Sequence, residues 1–233
     1  AGAIAGMKIQ FVKPDLHQID HVAAETFVVT VFEDERPPRG LAGLLDWRLS
    51  GRLSQMMLSN QMAGRFREAV LFPAYGRLPT ARVCAYGLGR MADFSPARAR
   101  EASWFIADSL HKLRAQSFVT ALPGSPSSVV PVRARMELFL EEMVRVFGTD
   151  DASAAVEVIL VEPQEAHRWY LRSAQRSFGP AMAWLVQAYE GGDGVEADAA
   201  EAQRWQVRLT AMGPMPSPRR SRIVGLWDKA PDG

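Results

Sequence analysis

Apolar and polar positions alternate along the first two thirds of the chain in two distinct patterns. Short apolar runs such as "ETFVVTVFED" at 25–34 and "AAVEVILVEP" at 154–163 are rich in β-branched residues and bounded by charges or proline, which is typical of buried strands. In "GLAGLLDWRLSGRLSQMM" at 40–57, leucine and methionine recur every three or four positions. That spacing predicts one amphipathic helix whose apolar stripe faces a core.

The remaining segments continue the alternation. Strands are predicted in "MKIQFVKP" at 7–14, "AVLFPAYG" at 69–76, "ARVCAYGLG" at 81–89 and "SFVTALPG" at 117–124. One helix begins at Ser95-Pro96, with serine as the cap and proline in the first turn, and a second helix covers 131–148. Alternating elements of these lengths predict an α/β fold with a mixed, mostly parallel sheet and helices on both faces.

Beyond Pro163 the strand pattern ends and an Ala- and Trp-rich helical pattern begins. We therefore expect an α/β domain over 7–163, a helical hairpin over 164–213, and a basic, Pro-rich tail over 214–233 that is ordered only if Trp227 docks. Gly192 and Gly194 suit the end of one helix, and Asp198 with Glu201 resembles a capping box that starts the next. Residues 1–6 lack the features of a signal peptide, and we interpret them as an expression remnant.

Composition restricts the cellular setting. No apolar run approaches the roughly 18–20 residues of a spanning helix, so we expect no membrane contact. The single cysteine, Cys84, excludes a disulfide framework and indicates a reducing, cytoplasmic location. Cys84 lies inside an apolar strand, and we expect it to be a core residue rather than a reactive thiol.

Three short motifs are candidates for chemistry. "HQIDH" places His17 and His21 four residues apart, but it falls in a connection between strands, so we predict a polar loop and no metal site. "YGLGRMADFSPAR" offers Gly87, Gly89 and the helix start at Ser95 as an anion-binding loop. The serine-rich "LPGSPSSVVP" lacks a nucleophile motif, and we predict a loop. No catalytic residue and no cofactor are predicted.

The first two thirds of the chain resemble the N-terminal domain of the leucyl aminopeptidase family, whose fold is similar to the macrodomain. The resemblance lies in "GLLDWRLSGRLSQMM" and in "AVLFPAYGRLPTARVCAYGLG", together with the order of elements around them. It implies hydrolysis only where a two-metal catalytic domain follows, and nothing after Pro163 resembles that domain. We therefore expect a protein that is not an enzyme. Macrodomains hold ADP-ribose, so a nucleotide pocket is an alternative function.

The helical segment is similar to a Sel1-type repeat, a relative of the tetratricopeptide repeats. The matching positions are Ala181, Leu185, Tyr189, Gly192, Gly194, Val195, Asp198, Ala202 and Trp205. Val186 departs from the pattern, since glycine is usual there, and at most one and a half repeats are present. Such repeats bind proteins, so Tyr170, Trp184 and Trp227 are candidate contact residues. The leading hypothesis is a non-catalytic regulator that binds another protein, with sequestration or regulation of an enzyme as the role that suits it, and its oligomeric state is left open.

Charge is unevenly distributed, although the net charge is only +1. Between Arg36 and Arg114, thirteen Arg or Lys face five Asp or Glu. Some aminopeptidases of the resembled family bind DNA, so nucleic acid is an alternative partner, with Arg48, Arg52, Arg65 and Arg67 as candidate phosphate contacts. A charged surface that contacts only solvent explains the same uneven distribution of charge.

Overall fold

The computed structural model describes residues 7–125, 128–148, 156–162, 182, 186, 189, 190 and 198–211. The elements in chain order are β1 (Met7–Val12), α1 (Leu16–His21), β2 (Thr26–Val31), α2 (Gly40–Arg48), α3 (Arg52–Leu58), β3 (Ala69–Pro73), β4 (Arg82–Gly87), α4 (Pro96–Lys112), β5 (Ser117–Thr120), α5 (Val132–Phe147), β6 (Val156–Val161) and α6 (Ala199–Ala211). A short 3₁₀ turn at Met91–Asp93 precedes α4.

The strands form one six-stranded sheet in the order β1-β6-β5-β2-β4-β3. All neighbouring pairs are parallel except β3 with β4, which are antiparallel and joined by the short connection at 74–81. The mixed, mostly parallel sheet expected from the sequence is therefore confirmed. A tight turn suffices for the antiparallel pair, whereas each parallel neighbour requires a longer crossover connection.

Alternate residues of the strands face two separate apolar cores. Val28 and Cys84 point toward α4 and α5, whereas Phe27, Val83 and Val119 point toward α1, α2 and α3. Period-two alternation on central strands buries both faces, which confirms the helices on both sides of the sheet. Cys84 is buried, as predicted, and burial raises the pKa of its thiol.

The helix predicted over 40–57 is two helices, so the expectation of a single continuous helix was wrong. Gly51 adopts a left-handed conformation with φ 77° and separates α2 from α3. Asp46 of α2 then accepts hydrogen bonds from Ser54 of α3, from its backbone N at 3.0 Å and from its hydroxyl at 2.5 Å. A buried carboxylate that caps the next helix fixes the break.

Only part of the predicted hairpin lies within the described residues. α6 is helical as expected, and Asp198 Oδ1 accepts from the backbone N of Ala200 and Glu201, which confirms the capping role of Asp198. Trp205 is buried and belongs to the same apolar cluster as Met136 of α5. Tyr170, Trp184, Trp227, residues 1–6 and the tail at 214–233 lie outside the described residues. Among the residues described, no helix is long and apolar enough to cross a bilayer.

Candidate functional site

The cleft between β2 and β5 opens where the chain leaves these two parallel strands in opposite directions. After β2 the chain runs to β3 and β4 on one side, and after β5 it runs to β6 on the other side. In open α/β sheets, ligands bind at such a point, outside the carboxyl ends of the strands. The cleft has a volume of about 590 Å³, within the usual range for a small-molecule site.

Three connections supply the walls of this cleft. The loop after β2 supplies Phe32, Glu35 and Arg39, and the end of β6 supplies Val161 with Glu162. The other lining residues include Gly40, Leu41, Ala42 and Leu44 of α2 and, after β5, Ala121, Leu122, Gly124, Ser125, Ser128, Val130 and Pro131. The ring of Phe32 packs edge-on against Phe94 with centroids 5.3 Å apart. Described residues of the serine-rich segment thus form part of the wall of the cleft.

Two helices begin at this cleft without a side-chain cap. Gly40, Leu41 and Ala42 at the start of α2 and Val132 at the start of α5 line it, and neither helix has a side-chain cap on its first turn. The first N–H groups of a helix have no partner within the helix, and they carry a partial positive charge. Two such ends directed at one cavity favour an anion.

Arg135, in the first turn of α5, adds a positive charge to the same place. Its side chain is only 6% exposed, and its Nε has no hydrogen-bond partner among the residues described. Burial lowers the pKa of its guanidinium, and the nearby Glu162 carboxylate opposes that effect. Gly124 makes room for this arginine, because a Cβ there would lie 2.9 Å from Arg135 Cδ.

Glu162 closes the floor of the cleft at the end of β6. Its Oε1 accepts a hydrogen bond of 2.5 Å from the backbone N of Leu122, which joins the ends of β6 and β5. Burial raises the pKa of Glu162 to about 7, an effect only partly opposed by the Leu122 hydrogen bond and Arg135. The cleft therefore contains a carboxyl group that titrates near neutral pH.

Glu35 is the second acidic group of the cleft. Its Oε1 is buried and has no hydrogen-bond partner among the residues described. Burial raises the pKa of this carboxyl, and the guanidinium and backbone N–H of Arg39 act in the opposite direction. Arg39 itself is exposed at the mouth of the cleft.

The predicted anion loop lies at the end of β4, and its residues Gly87, Gly89 and Ser95 do not line the cleft. Gly87 N donates to Glu68 O and Gly89 N donates to Gly64 O, so both amides are already used. Close by, the Glu68 carboxylate accepts from the backbone N of Ala63, Gly64 and Arg65. Ser95 caps α4 by accepting from Arg98 N, as predicted. Anion binding by Gly87, Gly89 and Ser95 stays a prediction, although these contacts leave little donor capacity there.

The four arginines proposed for nucleic acid are distributed over α2, α3 and the loop before β3. Arg48 forms an ion pair with Asp20, and Arg67 pairs with Glu101 at 3.5 Å. The Nε of Arg52 is buried, and Arg65 is exposed. Contact with nucleic acid stays a prediction.

His17 and His21 stack on each other in α1 with ring centroids 4.5 Å apart. Within the described part of the chain, no three His, Cys, Asp or Glu side chains lie together as a metal site.

None of the four charged residues that line the cleft, Glu35, Arg39, Arg135 and Glu162, was singled out as a site residue by sequence reasoning. One signal was present for Arg135, since it adjoins Met136 and precedes Phe139 on the apolar stripe of α5, where a charge is unusual. Another was present for Glu162, which directly follows a buried strand in a parallel sheet. Glu35 gives no signal, because it stands in a mostly exposed, charged loop and nothing in the sequence shows that its carboxyl oxygen Oε1 is buried.

Comparison with known proteins relates this chain to cytosol aminopeptidases. The model of the cytosol aminopeptidase family, N-terminal domain, matches residues 28–145. A probable cytosol aminopeptidase of Geobacter sp. (strain M21) is 27% identical over 61% of this chain and 30% of its own length. The chain thus spans less than a third of the curated relatives it matches.

Solved macrodomains share the fold at low sequence identity. The Oceanobacillus iheyensis macrodomain with ADP has a TM-score of 0.58 and 11% identity over 76% of this chain and 94% of that one. The Trypanosoma brucei macrodomain in complex with ADP has a TM-score of 0.56 and 14% identity over 71% and 68% of the two chains. The α/β domain is therefore macrodomain-like.

Replacing Glu162 by glutamine should remove a pH dependence of stability. Because the folded pKa of about 7 lies above the ordinary value of 4.5, the stabilising contribution of the neutral carboxyl is complete below about pH 4.5 and is lost as the pH rises toward 7. We expect the free energy of unfolding of the native chain to fall on the order of 2–3 kcal/mol over that range. Urea unfolding at several pH values measures it.

Glu162→Gln should flatten this dependence, because glutamine keeps the acceptor for Leu122 N without a charge. Glu157→Gln, on the same strand but partly exposed, is the control and should retain the native pH dependence. Equal pH slopes in the native chain and in Glu162→Gln would contradict the assignment.

Proposed function

This chain belongs to the cytosol aminopeptidase family, whose N-terminal domain it contains, and from that premise we propose that its α/β domain is a non-catalytic module that binds a small anion of the nucleoside diphosphate type. The observation that carries the proposal is the meeting of two helix N-termini that lack a side-chain cap with the buried, positively charged side chain of Arg135 in the lining of one cleft. Together these groups supply the donors and the positive potential that a phosphate requires.

The cleft also has the size and walls that a nucleotide needs. A volume of about 590 Å³ exceeds what a lone phosphate fills, and Phe32, Leu41 and Val130 provide apolar surface for a base or sugar. The two macrodomains with ADP share this fold, which supports the same ligand class here. We further propose that ligand binding serves a regulatory role in the cytoplasm.

Protein binding is the second candidate function, and a specific surface favours it. Trp47 on α2 is 66% exposed and lines an open groove with Pro37, Pro38 and Arg77. An exposed tryptophan bordered by proline and arginine is typical of the centre of a protein interface. The regulator predicted from the sequence would engage its partner through this groove.

A charge placed inside the cleft should weaken ADP binding. Ser128 is partly buried and lines the cleft, whereas its neighbour Val129 is exposed and does not. We expect Ser128→Asp to lower the affinity for ADP at least about tenfold by repulsion, and Val129→Asp to leave it within about twofold. Isothermal titration calorimetry measures both affinities, and equal losses in the two variants would count against the cleft as the binding site.

The chain should not cleave a leucyl amide. We expect no release of product above background when the purified chain is incubated with leucine p-nitroanilide and Mn²⁺, Zn²⁺ or Mg²⁺. A full-length aminopeptidase of the family serves as the positive control. Cleavage that disappears on chelation would overturn the non-catalytic part of the proposal.

Removal of the exposed indole tests the second candidate. Trp47→Ala should release any partner protein that copurifies with the native chain, because aromatic anchors carry much of the binding energy of an interface. Leu58→Ala removes an even more exposed apolar side chain from α3 and should retain that partner. Quantitative mass spectrometry of the two captures makes the comparison, and the same set of proteins in both would reject Trp47 as the anchor.

A further inference from the structure

β3 is an edge strand of the sheet, and its outer side is open to another strand. It pairs with β4 on one side only. Gly87 N donates to Glu68 O, so the even-numbered residues of β3 direct their N–H and C=O groups toward β4. Ala69 and Leu71 therefore direct theirs away from the sheet, and no hydrogen bond to these groups is found among the residues described. Such a row of free groups is a template for pairing with another chain.

The same two residues carry exposed apolar side chains. Ala69 and Leu71 lie on the face of the sheet where Tyr86 and Cys84, their partners in β4, belong to the core under α4 and α5. Phe105 of α4 packs edge-on against Tyr86 with ring centroids 5.7 Å apart. Leu71 is nevertheless 52% exposed, so the helical layer ends before it reaches β3 on this face. The edge thus offers backbone groups and apolar surface together.

We propose that β3 pairs with β3 of a second copy of this chain, antiparallel and about a two-fold axis at Val70. In this register Ala69 of each copy lies opposite Leu71 of the other, and each such pair exchanges both of its N–H···O bonds. Every outward N–H of the strand is then used, since Pro73 has none. The two sheets become one continuous sheet across the axis.

The side chains of the strand are complementary to their own copy in this register. Leu71 of each copy lies beside Ala69 of the other on the exposed face, so a large side chain meets a small one, and the two Val70 side chains meet on the opposite face. An axis at Leu71 instead places the two leucines opposite each other. It also places Ala69 opposite Pro73, whose missing N–H leaves the C=O of Ala69 unpaired.

Charge does not oppose this pairing. β3 contains no charged residue, although charges are a common device by which edge strands avoid association. Arg67, the nearest exposed charge before the strand, falls opposite Pro73 of the second copy and not opposite another charge. Its φ of 66° ends the extended backbone there, so the pairing is confined to a short stretch. We therefore expect a reversible dimer whose population depends on concentration.

The oligomeric state of the purified full chain tests the pairing. Sedimentation velocity should show a monomer–dimer equilibrium in the native chain. Leu71→Pro removes an outward N–H and leaves the ladder to β4 intact, and Leu71→Lys places two positive charges diagonally across the axis. Each should raise the dissociation constant at least about tenfold. Leu58→Lys adds the same charge at a more exposed leucine on α3 and should leave it within about twofold.

A disulfide probe locates the axis. Facing residues that exchange no hydrogen bonds have Cα atoms about 4.5 Å apart, a separation that a disulfide spans. Val70→Cys should therefore form a covalent dimer on mild oxidation. Leu58→Cys, at a more exposed position, should remain monomeric at the same protein concentration. The native Cys84 is buried and leaves the comparison clear.

Three results reject the pairing. A native chain that stays monomeric at every concentration rules out the second copy and leaves this edge to a strand of another protein. A dimer that persists in folded Leu71→Pro and Leu71→Lys, with melting temperatures close to that of the native chain, has its interface elsewhere. Equal crosslinking of Val70→Cys and Leu58→Cys shows collision without a fixed register. ADP binding enters none of these measurements, so their outcome is independent of the proposed function.

Discussion

The pairing of β2 with β5 is the constraint on which the rest of the molecule depends. Their ladder joins only two residue pairs, Thr26 with Phe118 and Phe27 with Val119, before the connections separate toward opposite sides of the sheet. A parallel sheet cannot be closed by tight turns, so each strand must end in a crossover that leaves the sheet. At this one place the two crossovers diverge, and space for a ligand results. The helices that begin on either side then direct their N-termini into that space.

Some side chains that line the cleft carry polar atoms without a hydrogen-bond partner among the described residues. Arg135 and Glu35 each retain an unpaired atom, and Glu162 is held next to the Leu122 amide with its pKa displaced toward neutrality. Such groups cost stability in the empty domain, and active and binding sites are where proteins tolerate that cost. Outside the cleft, the Glu68 carboxylate accepts from the three consecutive amides at 63–65, and Asp46 caps α3.

Sequence reasoning recovered the features that depend on local pattern. Apolar alternation identified the strands around Val28 and Val158, and Ser95-Pro96 located the start of α4, because both signals act over a few residues. The break at Gly51 was missed, since the leucine stripe continues through it and the capping contact from Asp46 spans eight positions. The cleft was missed for a related reason. Glu35, Arg135 and Glu162 are far apart in the chain and are brought together only by strand order, which a single sequence does not display.

Helix α2 borders both the cleft and the groove that contains Trp47. Gly40, Leu41, Ala42 and Leu44 line the cleft, and Gly43 with Asp46–Arg48 lines the groove that contains Trp47. α2 is only nine residues long, and the Asp46 carboxylate near its end accepts from the backbone N of Ser54 in α3. If α2 moves when the cleft fills, the two binding equilibria are coupled, and thermodynamic linkage requires the coupling to be equal in both directions.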